Sequence, residues 1–346
     1  MILTAERERE VIRTLLRRSG ATEEEAEAVA EVLVEGDLRG FHSHGLLRLP
    51  YLLRALRRGT ILTGVRVRVV RETRATALVD GGHGLGHYVA RKAMELALEK
   101  AEGEGVGVVG VFNSNHFGIA GYYAEMAARR GMVGVVATTT DPLVHPWGGC
   151  EPLLGTNALA VALPTRTPVL LDMAMSVAAR GKLVEAAKKG ERIPEGWAVD
   201  RWGRPTTDPE EGLRGALSPF GGPKGYGLAF VLELLAGPMV NAAAGRRVRG
   251  TLEPVEGFCT KGDLMAALDP GAFTDREKFL EEAEEFIREV KSSRRAEGVQ
   301  EILVPGEPEF RKRERYLREG IPLADEIWED LKRTARELGI WPEEWG

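Results

Sequence analysis

Residues 106–118 read Val-Gly-Val-Val-Gly-Val-Phe-Asn-Ser-Asn-His-Phe-Gly, and they leave this chain few ways to fold. The first seven are apolar and glycine-interspersed with no polar face, the pattern of a strand buried on both sides. The run then breaks into Asn113, Ser114, Asn115 and His116, and a helical pattern starts at about residue 119. Open α/β sheets bind ligands beyond the carboxyl ends of their strands. This strand therefore delivers amides, a hydroxyl and an imidazole to the place where such folds do chemistry. Residues 132–138 repeat the design and end in Thr138-Thr139-Thr140-Asp141-Pro142.

Helices and further strands surround these two. Thr4 caps a helix over 5–18, and Thr22 with Glu25 forms a capping-box pattern for a second that runs to Leu38. A third enters through Pro50 and stops at Gly59. Strands are expected at 65–69 and 75–79, then a helix over 88–101, then strands at 159–163 and 169–171. Residues 172–176 open a helix in this reading, and 191–223, rich in Gly, Pro and Trp, form a long functional loop. The segment 241–262 has too little pattern for an assignment. A strand at 264–268, a charged amphipathic helix over 275–291, a strand at 301–304 and two closing helices complete the order. Strands 65–69 and 75–79 lie too close for a crossover, so some pairing is antiparallel and the sheet is mixed. The expected fold is α/β, with a central mixed, non-Rossmann sheet, helices on both faces, and a helical lobe from both chain ends. At 346 residues two lobes are the natural division. Residues 1–62 with 307–346 form the helical lobe, and 63–306 the central α/β domain.

A net charge of −5 without a basic face argues against a nucleic-acid partner. Arg246-Arg247 and Arg311-Lys312-Arg313 read as solvated surface. Cys150 and Cys259 stand far apart outside any CxxC pattern, as cytosolic thiols do. The N-terminus runs into Glu6-Arg7-Glu8-Arg9-Glu10, unlike a signal peptide, and no apolar run reaches the roughly 18 residues of a membrane span. A cytoplasmic protein without a membrane partner is the expectation. Side-chain amides are confined to Asn113, Asn115, Asn157, Asn241 and Gln300, a scarcity that hints at a thermophile.

Residues 105–110 fit GxGxxG, but in a dinucleotide fingerprint those glycines follow a strand and open a helix. Here they lie inside the strand and mark close backbone packing instead. All six histidines, His42, His44, His83, His87, His116 and His145, fall in the first 145 residues beside Gly, Ser, Asn or Pro. His42/His44 and His83/His87 have ligand-like spacing, yet no acidic cluster accompanies them, so no metal site is expected. Arg48 starts a helix, an unfavourable place for a cation unless its fork binds a carboxylate. Asp172 and Ser176 flank a strand-to-helix turn suited to an N-cap or to cofactor hydroxyls. Lys224 sits among glycines and a proline, free to reach an anion.

These motifs together resemble the type-2 malate/L-lactate dehydrogenases, a family that includes ureidoglycolate and L-sulfolactate dehydrogenases and 2,3-diketo-L-gulonate reductase. The resemblance covers nearly the whole chain. It rests on Ser43-His44-Gly45 with Arg48 and Pro50, on Asn113-Ser114-Asn115-His116-Phe117-Gly118 and on Leu154-Gly155-Thr156-Asn157. It continues through Leu171-Asp172-Met173-Ala174, Pro223-Lys224-Gly225-Tyr226-Gly227, Val304-Pro305-Gly306-Glu307 and Gly320-Ile321-Pro322.

The resemblance implies reversible hydride transfer between NAD or NADP and a small 2-hydroxy or 2-oxo acid, most simply malate or L-lactate. It implies a homodimer with sites near the subunit interface. His116 and His44 match the proton-transferring positions, and Asp141 could orient a histidine. Ser43, Arg48 and Asn115 fall on the substrate side. Thr140, Asp172, Met173, Ala174, Ser176, Lys224, Gly225, Pro305, Gly306 and Glu307 fall on the cofactor side. The chemistry suits these residues: an imidazole with a reference pKa of about 6.5 can take the hydroxyl proton as hydride leaves, and return it in reduction. The alternative from another class is a metal-dependent hydrolase using the histidines.

Overall fold

The computed structural model describes residues 1–251 and 257–345. The chain opens with β1 (Ile2–Leu3), α1 (Ala5–Arg18), α2 (Glu23–Leu38) and α3 (Leu49–Arg58). Thr4 caps α1 at the N–H of Arg7, the Thr22–Glu25 capping box forms on α2, and Gly59 ends α3 with φ of 72°. The expected helix ends are therefore where the cap chemistry put them.

The central part contains β2 (Arg68–Glu72), β3 (Thr76–Asp80), α4 (Gly86–Glu104), β4 (Val106–Phe112), α5 (Ala120–Ala128), β5 (Val133–Thr138), β6 (Leu159–Leu163) and β7 (Val169–Met173). After α6 (Arg180–Lys189) come β8 (Ala198–Val199), β9 (Pro205–Thr206), α7 (Pro209–Arg214) and β10 (Ala216–Leu217). Then follow α8 (Pro223–Ala236), β11 (Asp263–Leu268) and α9 (Arg276–Ser292). The chain closes with α10 (Glu307–Glu319), β12 (Ile321–Pro322) and α11 (Asp325–Glu337), and β12 pairs with β1.

Seven strands form the main sheet in the order β2-β3-β4-β11-β5-β6-β7. β3 and β4 are parallel, joined through the crossover helix α4, and every other neighbouring pair is antiparallel. The sheet is mixed and differs from a Rossmann sheet. Met265 and Ala267 face the core shared with α4 and α5, while Leu264 packs with Ala229 and Leu232 of α8. Alternation along β11 thus places helices on both faces. A third buried cluster gathers α1, α2, α3 and α11 from the two chain ends. The glycines of β4 are packing devices. A Cβ on Gly107 would collide with the Ala97 carbonyl of α4, and one on Gly110 would collide with Val240 on the other face.

Several expectations shift. β2 lies three residues beyond the alternating run at 65–69 and is exposed throughout, since an edge strand with one neighbour has no buried face to fix it. Residues 172–176 do not open a helix. Asp172 and Met173 finish β7, and the helix starts only at Arg180. Residues 301–304 are not a strand, although the Leu170 N–H donates to the Pro305 carbonyl at 2.9 Å. The loop 191–223 contains α7 and the small sheet β10-β8-β9. Within 241–262 there is a 3₁₀ turn at Gly245–Arg247, and residues 252–256 lie outside the described ones. Arg313 is no solvated cation: it is half-buried and forks onto Glu35 of α2 at 2.8–3.0 Å.

Candidate active site

Asp37, fully buried on α2, organises the segment that carries Ser43, His44 and Arg48. Its carboxylate accepts from the Leu46 N–H at 2.6 Å and from His42 Nδ1 at 2.6 Å, winding residues 42–48 into two 3₁₀ turns. Arg48 stands at the N-cap of α3 and its Nε donates to the Ser43 carbonyl at 3.0 Å. Ser43 Oγ lies 2.9 Å from His44 Nδ1.

The opposite wall follows β4. Asn115 is buried and spends both amide hydrogens on backbone carbonyls, His83 at 3.0 Å and Gly84 at 2.7 Å. Only its Oδ1 is left to meet a ligand, so the side chain chiefly anchors the segment. Gly86 at the start of α4 completes this seat, because a Cβ there would collide with the carbonyls of Asn115 and His116. His116 projects from the seat and stacks on His44, with ring centroids 5.4 Å apart at 28°. His87, wholly buried, lies 6.4 Å behind His116. The structure thus brings Ser43, His44, Arg48, Asn115 and His116 together from segments about seventy residues apart.

Charge in this cluster is positive. Burial, and after it Arg48, pushes His44 far below its usual range. Burial pushes His87 down to about 3, helped by Lys261, Arg48 and His44. His116 is held well below its usual value by burial, then by Arg48, His44, His87 and Lys261. Each ring therefore favours its neutral form at neutral pH. The Gly118 N–H donates to His116 Nδ1 at 3.2 Å, so the proton of this neutral ring resides on Nε2.

The residues expected on the cofactor side span 140–307 in sequence and form one continuous run. Thr156 N–H donates to Thr140 Oγ1 at 2.9 Å, and Met175 N–H donates to the Thr156 carbonyl at 2.7 Å. Ser176 bridges to Pro219, and Phe220 N–H donates to the Met175 carbonyl at 3.0 Å. Gly225 packs on the Phe220 carbonyl so tightly that a Cβ has no room, which fixes the first turn of α8 with exposed Lys224. The N-terminus of a 14-residue helix with a lysine in its first turn suits a phosphate. At the other end, Gly306 holds φ of 91° against Leu170 of β7, next to Asp172, and Glu307 accepts from the Val304 N–H at 3.0 Å. Asp172 accepts from the Gly121 N–H at 2.7 Å, capping α5 across space, and burial raises its pKa to about 6. Met173 and Ala174 lie between these seats, with Ala174 exposed. A dinucleotide fits this donor set: anion-binding amides and a lysine at one point, a carboxylate for ribose hydroxyls at another.

Other expected residues are engaged elsewhere. Asp141 accepts from the N–H groups of Gly250 at 3.1 Å and Thr251 at 2.7 Å, and from the Thr251 hydroxyl. It holds that loop rather than a histidine. His42 is tied to Asp37, His83 stacks on Phe258 at 4.0 Å, and His145 Nδ1 donates to the Pro146 carbonyl at 2.8 Å. Among the described residues no group of three His, Cys, Asp or Glu side chains is placed to hold a metal ion, and no helix is long and apolar enough to cross a membrane. Sequence reasoning missed Lys261 and Asp263, a buried ion pair beside His87 and Phe117. The signal was two charges straddling Gly262 at the start of an apolar strand.

The mixed, non-Rossmann sheet thus carries a histidine–arginine cluster beyond its strand ends. The chain belongs to the malate/L-lactate dehydrogenase family, whose profile matches residues 3–332. Malate/(S)-sulfolactate dehydrogenase of Methanothermus fervidus is 47% identical over 98% of this chain and 99% of its own length. The solved structure of sulfolactate dehydrogenase from Methanocaldococcus jannaschii is similar with a TM-score of 0.93 and 46% identity, over 98% of both chains. Two further relatives carry a cofactor in their names. Ureidoglycolate dehydrogenase (NAD(+)) of Escherichia coli O157:H7 is 34% identical over 96% of this chain and 95% of its own. (2R)-3-sulfolactate dehydrogenase (NADP(+)) of Chromohalobacter salexigens is 38% identical over 75% and 78%.

Proposed function

We propose that the protein interconverts a 2-hydroxy acid bearing a second anionic group, of the malate or 3-sulfolactate kind, with its 2-oxo acid, using NAD or NADP. The observation that carries this is the positive charge around three neutral imidazoles. After burial, Arg48 depresses all three rings, a field that a dianionic substrate would offset and a monoanion would offset less. The names of the similar relatives, malate and sulfolactate dehydrogenases, point the same way. L-Lactate, with one carboxylate, is the weaker expectation.

In this reading Arg48 takes the C1 carboxylate, fixing which carbon faces the nicotinamide. His44 donates Nδ1–H to Ser43 Oγ, which leaves its Nε2 lone pair to accept the hydroxyl proton in oxidation and to return it in reduction. His116 donates Nε2–H to the same substrate oxygen and stays neutral, as its bond from Gly118 requires. Asn115 and Gly86 hold that ring in register. A bound NAD or NADP would supply the hydride acceptor for C2. Thr140, Asp172, Met173, Ala174, Ser176, Lys224, Gly225 and the 305–307 turn would hold the dinucleotide, the N-terminus of α8 with Lys224 being suited to its phosphates. The working unit is a homodimer: α8 leaves Leu228, Phe230, Val231 and Leu234 exposed on an otherwise apolar helix, which a second copy would cover.

The test is a panel of oxaloacetate, sulfopyruvate and pyruvate, each with NADH and with NADPH, followed at 340 nm. The dianionic acids are expected to exceed pyruvate in kcat/KM by roughly 10²-fold. Equal efficiency with pyruvate would return the function to lactate, and no turnover with any acid would remove this reading.

A further inference from the structure

Beneath the three imidazoles lies an ion pair that the reaction described above does not use. Lys261 and Asp263 are both essentially without solvent exposure. The lysine ammonium meets the Asp263 carboxylate, lies 3.3 Å from Thr138 Oγ1 and sits over the face of Phe117, 4.3 Å from its centroid. Phe117 is the residue after His116. Thr138 Oγ1 donates to Asp263 Oδ1 at 2.6 Å, and Asp263 is paired in the sheet with Val111 on one side and Thr138 on the other. The pair therefore occupies the carboxyl ends of β4 and β5, directly under the site.

As a stabilising device this arrangement is poor. Two charges taken out of water cost several kcal/mol each after relaxation, recovered only when every lone pair is satisfied. Among the described residues Asp263 Oδ2 has no hydrogen-bond partner, and neither ring nitrogen of buried His87 has one. Burial and the surrounding charges, Lys261 first among them, therefore set its protonation.

We infer that Lys261 is a positioning residue for the reaction. Held by Asp263 and Thr138, its buried side chain packs over the ring of Phe117 and so seats the adjacent His116, which presents Nε2–H to the substrate. After burial, the larger cause, its charge also helps to hold His87 and His116 below their usual range. A charged His116 would carry hydrogen on Nδ1 as well and would lose the bond from Gly118. The groups facing these rings are Arg48 and His44 from the segment before α3, His87 from α4, and Lys261 with Asp263 from the start of β11. Of these, Lys261 and its partner Asp263 are the pair buried within the sheet, at the carboxyl ends of β4 and β5. The inference rests on the proposed role of His116, and its test reads the ring directly.

The experiment is a ¹⁵N NMR titration of the histidines in the full-length protein, with His87→Gln and His116→Gln for assignment, beside kcat/KM against pH. In the wild type both rings are expected to remain neutral from pH 8 down to about 5. In Lys261→Met/Asp263→Asn, which removes both charges and keeps the volume, at least one ring is expected to titrate inside that window, for His87 a rise of about two pH units or more. The acid limb of kcat/KM should move with it. The charge-keeping Lys261→Arg serves if the paired variant does not fold, and is expected to leave both rings neutral. Neutral rings in the folded paired variant, or rings that titrate in Lys261→Arg, would overturn the inference. A rise in ring titration without movement of the rate profile would keep the influence of Lys261 on the rings but remove His116, and with it this positioning role, from the reaction.

Discussion

The N–H of Gly118 donates to Nδ1 of His116 at 3.2 Å, and the ring that it orients stacks on His44 with centroids 5.4 Å apart. A ring whose Nδ1 already accepts, and which is neutral, can only donate from Nε2. His44, whose Nδ1 faces the Ser43 hydroxyl, is under no such restriction.

Substitution at His116 separates donor from base. His116→Gln retains an N–H and is expected to keep at least about tenfold more kcat than His116→Ala, whereas His44→Gln loses roughly 10²- to 10⁴-fold. Steady-state rates in both directions decide it. If His116→Gln and His116→Ala fall equally and His44→Gln stays near wild type, the roles are reversed.

Depression of His44 fixes the pH dependence. Its proton-accepting form in the free enzyme survives until far below the usual imidazole range. Oxidative kcat/KM is therefore expected to show no acid limb between about pH 5 and 8, while reductive kcat/KM, which needs the protonated ring, falls about tenfold per pH unit as pH rises. An oxidative limb centred at about pH 6.5 would contradict the assignment.

Removing the guanidinium should act on the acid and not on the dinucleotide. Arg48→Ala is expected to raise KM for the 2-oxo acid roughly 10²-fold, with Arg48→Lys intermediate because it keeps charge without the fork. Cofactor affinity, measured by quenching of protein fluorescence with NADH, should remain unchanged. Loss of NADH binding would move Arg48 to the cofactor side.

Stability should carry the signature of His87. The unfolded chain takes up this proton at about pH 6.5, whereas the buried ring does so only at about 3. Its contribution is whole above the unfolded value and drains away as pH falls, amounting to about 2 kcal/mol lost at pH 5. Urea midpoints at pH 7.5 and 5 should differ less in His87→Gln than in wild type. An equal difference in both proteins would show that His87 is not the group responsible.

Much of this architecture could be read from side-chain pattern. Thr4, Thr22 and Glu25 announce their helices because caps are local chemistry, and the polar ends of β4 and β5 announce the site because strand ends are where such groups are exposed. What escaped depends on contacts distant in sequence. Asp172 looked like a cap for the helix after it, and it caps α5 instead, through Gly121 fifty-one residues earlier. Asp141 looked like a partner for a histidine, yet its bonds go to Gly250 and Thr251. Lys261 lay in a segment without periodicity, and only the insertion of β11 between β4 and β5 carries it beneath His116.

That insertion has a consequence for how the molecule is made. β4 and β5 leave the ribosome more than a hundred residues before the strand that separates them, since β11 begins at Asp263. Until then each presents an open, apolar edge that invites pairing with another chain. A nascent or truncated chain ending short of residue 268 has no completed sheet, and the charged pair that serves the site does not yet exist. Completion of the seven-stranded sheet and formation of the Lys261–Asp263 pair within it belong to the same late stage of synthesis.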